Sequence, residues 1–430
     1  MSNTSKKDKF IAHFMTPSIA DLNSDQQSIR EKALHALQRL EFPTLRDERW
    51  KYTRVASILN GQYEAKRVEL NHLPPQAKVE GFEASTTLVF VNGYFSEKLS
   101  DLSKESGVEV KPMANARLED FDQFQQYYGQ YVDGENEIFT ALNTAFNMDG
   151  VYIHISQKVN FEQPIHIVHI TTGEGVTYQP RNLFVVEEQA SAEIYHTLVG
   201  DQQGEAFTNA VSEVLVGENA QLKYFIFQNL GDQHQHIQTT QVYQNANSTF
   251  TTGTFTFGGK LIRNDLNIEV DGENCETHLN GIYHLNGKQH VDNHTVVDHK
   301  KPHCNSNENY KGIINENATG VFNGKVFVRQ DAQKTNAFQS NQNILITDNA
   351  SVNSKPELEI YADDVKCSHG STTGELDDEA LFYLMSRGLS KTAATRLMIK
   401  AFTAEALDIL ENEAFIAKIE GLVEDKCALF

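Results

Sequence analysis

Between about residue 150 and residue 370 one turn phrase keeps returning, and that recurrence restricts the possible folds more than any other feature. An acidic or amide residue, then Asn or Gln, then a small residue occurs at Glu188-Gln189-Ala190, Glu218-Asn219-Ala220, Gln244-Asn245-Ala246, Glu273-Asn274-Cys275, Glu316-Asn317-Ala318 and Asp348-Asn349-Ala350. The small residues stand 30, 26, 29, 43 and 32 apart. Between them lie short β-rich runs such as Val151 to Ile155, Leu183 to Val186, Lys223 to Phe227, Thr254 to Phe257, Lys325 to Val328 and Asn343 to Ile346, with no periodic segment of helical length. A period near 30 in an all-β stretch predicts stacked coils, each burying its face against its neighbours. A β-sandwich is the alternative, but it brings strands at spacings of about 8 to 12 residues and no shared turn phrase.

Helical patterns flank this stretch. Ser24 or Asp25 is placed to cap a segment whose apolar residues Ile29, Ala33, Leu37 and Leu40 recur at spacings of three and four, and Pro43 stops it. The only tryptophan, in Arg49-Trp50-Lys51-Tyr52-Thr53, is expected to anchor this arm by packing. Thr86 to Asn92 reads as a strand, and about 116 to 147 as helix with Phe121, Phe124, Tyr128 and Leu142 among its apolar positions. At the other end Asp377 caps a helix carrying Leu381, Leu384 and Met385, Gly388 ends it, and Ser390 caps a second with Ala394, Leu397, Met398 and Ala401. A third run covers about Ala404 to Glu424. These helices at the end of a solenoid either cap it or dock a partner. The division is 1–149 helical and αβ, 150–372 a mainly β core, and 373–430 helical.

Charge narrows the partners. With 37 Lys plus Arg against 58 Asp plus Glu the formal charge is −21, which argues against nucleic acid. A chain of 430 residues with 40% hydrophobic content buries a sizeable core. The polar start, Met1 to Lys9, has no secretory apolar region, and no run approaches the roughly 18 apolar residues of a membrane helix. A cytoplasmic chain with no membrane partner is therefore expected. Cys275, Cys304, Cys367 and Cys427 are widely spaced, which fits reduced thiols. Cys427-Ala428-Leu429-Phe430 matches a prenylation box in form, without an upstream basic stretch.

Enzymatic signatures are sparse. Gly320-Val321-Phe322-Asn323-Gly324-Lys325 is one residue short of a phosphate loop and lacks its Ser or Thr, so ATP binding by this chain is not expected. Cys275, His278, His284, His290, His294, His299, His303 and Cys304 crowd into thirty residues, yet only His303-Cys304 is close, and on a strand those two oppose each other. Solvated turn histidines are the simpler expectation.

Cys367 and His369 carry a sharper idea. On a strand, residues i and i+2 share a face with Cα atoms roughly 6.5 Å apart, so a thiol and an imidazole there can face one metal centre or one partner surface. A packed Cys and a hydrogen-bonded His at a strand end is the plainer alternative.

The phrase around them, Lys366-Cys367-Ser368-His369-Gly370-Ser371-Thr372-Thr373-Gly374-Glu375-Leu376-Asp377, continuing Leu381-Phe382-Tyr383-Leu384-Met385-Ser386-Arg387-Gly388-Leu389, resembles the signature of the SufD branch of the SufB/SufD family. Lys334 to Asn343 and Asn353 to Ile360 resemble the core shared by both branches. The match is specific over about 300 to 410, and Trp50-Lys51-Tyr52-Thr53 is the best phrase ahead of it. The SufB branch carries His-Glu-Ala where this chain has Cys367-Ser368-His369-Gly370.

The resemblance implies a right-handed parallel β-helix between an N-terminal α/β region and a C-terminal helical region. It implies a non-catalytic scaffold subunit of iron-sulfur cluster assembly that pairs with a SufB-like paralogue, while a SufC-like ABC ATPase docks and hydrolyses ATP. His369 is then the residue that faces the paralogue and helps hold a transient iron-sulfur cluster, with Cys367 beside it as the lesser candidate. Ala380 to about Phe402, including Leu381, Leu384, Arg387 and Leu397, becomes the ATPase-docking surface; Arg387 serves equally as a helix C-terminal cation. Whether flavin (FAD) binds the complex is open. A SufB-like homodimeric scaffold and a β-solenoid interaction module without metal chemistry are the alternatives.

Overall fold

The computed structural model describes residues 6–15, 24–119, 121–202 and 204–427; the side chains of Ser24, Asp25 and Phe121, and residues 428–430 of the C-terminal box, lie outside the described residues. Its centre is a β-solenoid of about eight turns, with helices on both sides of it in sequence. Successive strands alternate between two sheets. One sheet runs from the short strand Tyr94–Phe95, through Thr86–Val91, to Lys366–Gly374, the other from Val108–Pro112 to Ser351–Ile360. Within the solenoid the pairing is parallel and in register. Thr249 pairs with Glu276, Glu276 with Asn305, Asn305 with Asn336 and Asn336 with Lys366, steps of 27, 29, 31 and 30 residues.

The corners explain both the recurring phrase and its irregularity. At one corner the residue entering each strand is small and buried: Ala190, Ala220, Ser248, Cys275, Cys304 and Thr335 are at most 1% exposed. The residue before each, Gln189, Asn219, Asn247, Asn274, His303 and Lys334, has a φ between 57° and 63°. That left-handed turn is one Asn tolerates best among side-chain-bearing residues. Each of these residues donates its N–H to a carbonyl of the next coil, as Asn219 does to Ala246 and His303 to Gln333. Ala318 and Ala350 belong to the opposite corner, ahead of Thr319–Val328 and Ser351–Ile360. The 43-residue gap in the sequence period was therefore a change of corner. The third repeat is framed by Asn247-Ser248 rather than Asn245-Ala246.

Inward side chains such as Ile194, Val214, Tyr224, Phe250, Ile268 and Leu279 fill the solenoid, each contributing about 1.5–3 kcal/mol by burial. The outer faces are covered too. N-terminal helices Lys6–Ala12, Ser24–Arg39 and Ile138–Phe146 lay Phe10, Leu37 and Phe139, with Trp50, over Phe207, Ile237 and Leu261 of one sheet. Trp50 anchors the arm as expected. The region read as one helix from about 116 to 147 is three: Met113–Glu119, Phe121–Tyr127 and Ile138–Phe146.

The C-terminal helices Lys391–Leu407 and Glu413–Cys427 pack along the outer face of the other sheet, against Tyr195, Phe225, Phe255, Ile282 and Ile313. They do not cap the solenoid's end, because the outward aromatics of successive coils line up into one apolar strip along its side. The third helix starts at Glu413, not Ala404; Ala404 still belongs to the second. Cys427 is 1% exposed within this packing. No described helix is long and apolar enough to cross a membrane.

Candidate functional site at the open end of the solenoid

Both sheets stop at the same end. Ser351–Ile360 and Lys366–Gly374 are the terminal strands of their sheets, each paired on one side only. Inner strands are almost wholly buried, whereas on Lys366–Gly374 every residue but Cys367 is exposed. Ile360, Tyr361 and Phe338 are exposed nearby at 41%, 56% and 46%. The two edges differ in chemistry. Ser351–Ile360 carries Pro356 with Lys355, Glu357 and Glu359, the residues that discourage further pairing. Lys366–Gly374 has no proline beyond its first lysine, and its side chains are Cys, Ser, His and Thr, with two glycines. Gly370 and Gly374 have open space where a Cβ would stand.

Parallel register fixes which way this strand's side chains project. Cys367 pairs with Ala337 and His369 with Gln339; Ala337 and Gln339 point inward, so Cys367 and His369 share the inner face at the mouth. Cys367 packs beside Val326, Val328, Ala337 and Ala362. Burial pushes its thiol above the usual range, so in the isolated chain it stands as a protonated thiol rather than a ready thiolate. His369 is exposed. Ser371 bonds Ser354 at 2.7 Å across the mouth, joining the two sheets.

Sequence reasoning missed the two side chains behind His369. Glu308 and Gln339 occupy the same register position on the two preceding strands of that sheet. They are 5% and 4% exposed. A lone Glu and a lone Gln inside polar-looking strands carry no sequence signal; only the strand register brings them into line with His369.

The eight-residue crowd of cysteine and histidine does not converge. Among the described residues no group of three or more His, Cys, Asp or Glu is arranged to hold a metal ion. The expectation of solvated turn histidines is corrected as well. His284, His294 and His299 are buried on strands, because the inner and outer faces of a solenoid are both covered. His299 meets Ser306 at 2.9 Å and His290 meets Thr53 at 2.8 Å. His303 alone of the pair is exposed, at a left-handed corner, and Cys304 is the buried small residue after it. The near phosphate loop at Gly320 to Lys325 lies on the strand Thr319–Val328, so its amides are engaged in the ladder.

A second surface follows the mouth directly. The helix Asp378–Ser386 is capped by Asp377, which accepts from the N–H groups of Glu379 and Ala380 at 2.9 and 3.1 Å. Gly388, with φ of 96°, ends it. None of its residues is buried. Phe382, Tyr383 and Met385 are 74%, 57% and 42% exposed, and Leu389 and Leu397 extend the patch. Leu381 and Leu384, singled out from the sequence, are half-buried. Arg387 lies 5.1 Å from the Tyr383 ring centroid. Such a contiguous cluster of exposed aromatic and aliphatic side chains is unusual on a protein surface.

Comparison with known proteins agrees with this architecture. The family model for the SufBD core domain of the SUF system for FeS cluster assembly matches residues 169–402, and that for the SufBD protein N-terminal region matches 9–167. An iron-sulfur cluster assembly SufBD family protein of Synechocystis is 36% identical over 88% of this chain and 86% of its own length. The iron-sulfur cluster assembly protein SufD of Escherichia coli is 31% identical over 89% of each. The chloroplastic protein ABCI7 of Arabidopsis thaliana is 29% identical over 90% of this chain and 83% of its own. The chain belongs to the SufBD family of iron-sulfur cluster assembly proteins.

Proposed function

We propose that this chain is a non-catalytic scaffold subunit that pairs at its open end with a SufB-like paralogue, carries a SufC-like ABC ATPase on its C-terminal helices, and holds a nascent iron-sulfur cluster at the paired interface through His369. The observation that carries this reading is the coincidence of two unpaired sheet edges with Cys367 and His369 on the inner face of the last strand. A free edge with small polar side chains accepts another chain's strand through main-chain hydrogen bonds. A neutral imidazole is a good ligand for iron, and a ligand shared between subunits is gained or lost as the interface moves. The exposed face of Asp378–Ser386 supports the second contact: ATP-driven movement there lies only a few residues from the strand that bears His369.

Anaerobic co-expression with the SufB-like and SufC-like chains, followed by size-exclusion chromatography with light scattering, tests the assembly. A stable complex with one copy of this chain, one paralogue and two ATPases is expected. A chain that remains alone or pairs only with itself contradicts the reading.

A further inference from the structure

Behind His369 lies a hydrogen-bonded line that crosses the solenoid. Glu308 Oε1 accepts from the Thr295 hydroxyl of the opposite sheet at 2.6 Å, and Glu308 Oε2 accepts from Gln339 Nε2 at 2.7 Å. The carboxylate thereby fixes the Gln339 amide with its nitrogen inward. The other end of that amide, Oε1, is buried and has no hydrogen-bond partner. A buried unmatched carbonyl oxygen costs about 1–3 kcal/mol, so an arrangement that keeps one calls for a donor. Room for the side chain is built in as well: a Cβ at Gly324, on the facing sheet, would overlap the Gln339 amide. His369 is the residue paired with Gln339 on the next strand, projecting on the same face.

From this geometry we infer that Gln339, oriented by Glu308, is the acceptor for His369 Nδ1–H and so sets the imidazole with its Nε2 lone pair facing out of the mouth, toward the metal. The inference rests on the reading of His369 as a cluster ligand, and it deepens that reading by naming its positioning residues. A metal-bound histidine ordinarily donates its second ring N–H to a carbonyl or carboxylate, which selects the tautomer and the ring orientation. Free imidazole side chains favour the opposite tautomer, protonated at Nε2, which would present a hydrogen where the metal must bind. Gln339 reverses that preference without adding charge at the mouth.

The test uses the complex assembled with the paralogue and ATPase at pH 8, with this chain alone labelled by 15N-histidine and the His369 signal assigned by its loss in His369→Ala. Solid-state NMR is expected to show His369 protonated at Nδ1 in the wild-type complex and at Nε2 in Gln339→Met, which keeps the side-chain volume but has no acceptor. Cluster formation in Gln339→Met should slow about 10-fold or more, the usual effect of losing such a partner. Light scattering on each variant shows whether the complex still assembles. Should Gln339→Met prevent assembly, Glu308→Gln gives the same reading, since it frees the Gln339 amide to turn and should mix the two tautomers. An unchanged His369 tautomer in the variants overturns the inference. Wild-type cluster formation in His369→Ala overturns the ligand reading itself, and the tautomer result still decides the Gln339 contact independently.

Discussion

The Arg263 guanidinium lies 3.8 Å from the centroid of the Trp50 ring. This contact ties the N-terminal arm to the solenoid wall. The same guanidinium donates to both oxygens of Asp265 at 2.8 Å, to Asp292 at 2.7 Å and to the Arg49 carbonyl at 2.8 Å, while Thr53 of the arm donates to Asp292 at 2.5 Å. Arg263 is fully buried. Arg263→Met removes the guanidinium from two buried carboxylates, leaving Asp265 only Arg49 at 3.5 Å, at a cost of about 3–5 kcal/mol. Trp50 is the chain's only tryptophan, so its fluorescence during urea unfolding reports this loss directly. An unfolding midpoint like that of the wild type would show that the arm is held by packing alone.

Thiol reactivity reads out the open end. Of the four cysteines, Cys275, Cys304 and Cys427 are buried and only Cys367 is partly accessible. A thiol reagent should modify one cysteine of the native chain, and all four after denaturation. Because burial raises the Cys367 thiol, that reaction should accelerate toward a pH higher than for a free thiol. Pairing with the paralogue should slow it; equal rates in the free chain and the complex would place the interface elsewhere.

Glu308 predicts a pH dependence of stability. Burial pushes its carboxyl up to about 7, against the favourable contacts of Thr295 and Gln339. Below pH about 4.5 both folded and unfolded chains hold the proton; as pH rises toward 7 the unfolded chain releases it first, so this group's contribution is lost across that window. The loss is on the order of 3 kcal/mol. Glu308→Gln should therefore flatten the change in unfolding midpoint between pH 5 and pH 7.5. A slope equal to that of the wild type would assign the titration to other groups.

The exposed helix Asp378–Ser386 makes a separate prediction. Phe382→Asp places a charge at the centre of the apolar patch and touches nothing buried. ATPase binding should weaken at least about 30-fold, the effect of losing a central aromatic anchor, while thermal stability stays the same. ATPase binding at wild-type affinity would leave the patch without this role.

The sequence made the solenoid legible because its corners demand a left-handed residue followed by a small buried one, and Asn-Ala or Asn-Cys writes that demand openly. Where the corner uses His303-Cys304 or Lys334-Thr335 the geometry is the same but the letters differ, so the period looked broken. Helix caps at Asp377 and Ser390 were readable for a similar reason, since their side chains answer a local need. Side-chain partnerships set by register were not. Glu308, Gln339 and His369 are about 30 residues apart in sequence, and only the coil length brings them together. On Asp378–Ser386 the spacing of apolar residues picks out Leu381 and Leu384, which are half-buried, while the degree to which Phe382 and Tyr383 are exposed emerges only from the structure.

On the proposed function, His369 holds the nascent cluster at a paired open end. Anaerobic reconstitution of the assembled complex with iron and sulfide, followed by absorbance and iron content per complex, tests it most directly in wild type and His369→Ala. The variant complex should assemble with the same mass while cluster formation falls sharply. Wild-type cluster content in the variant would contradict it.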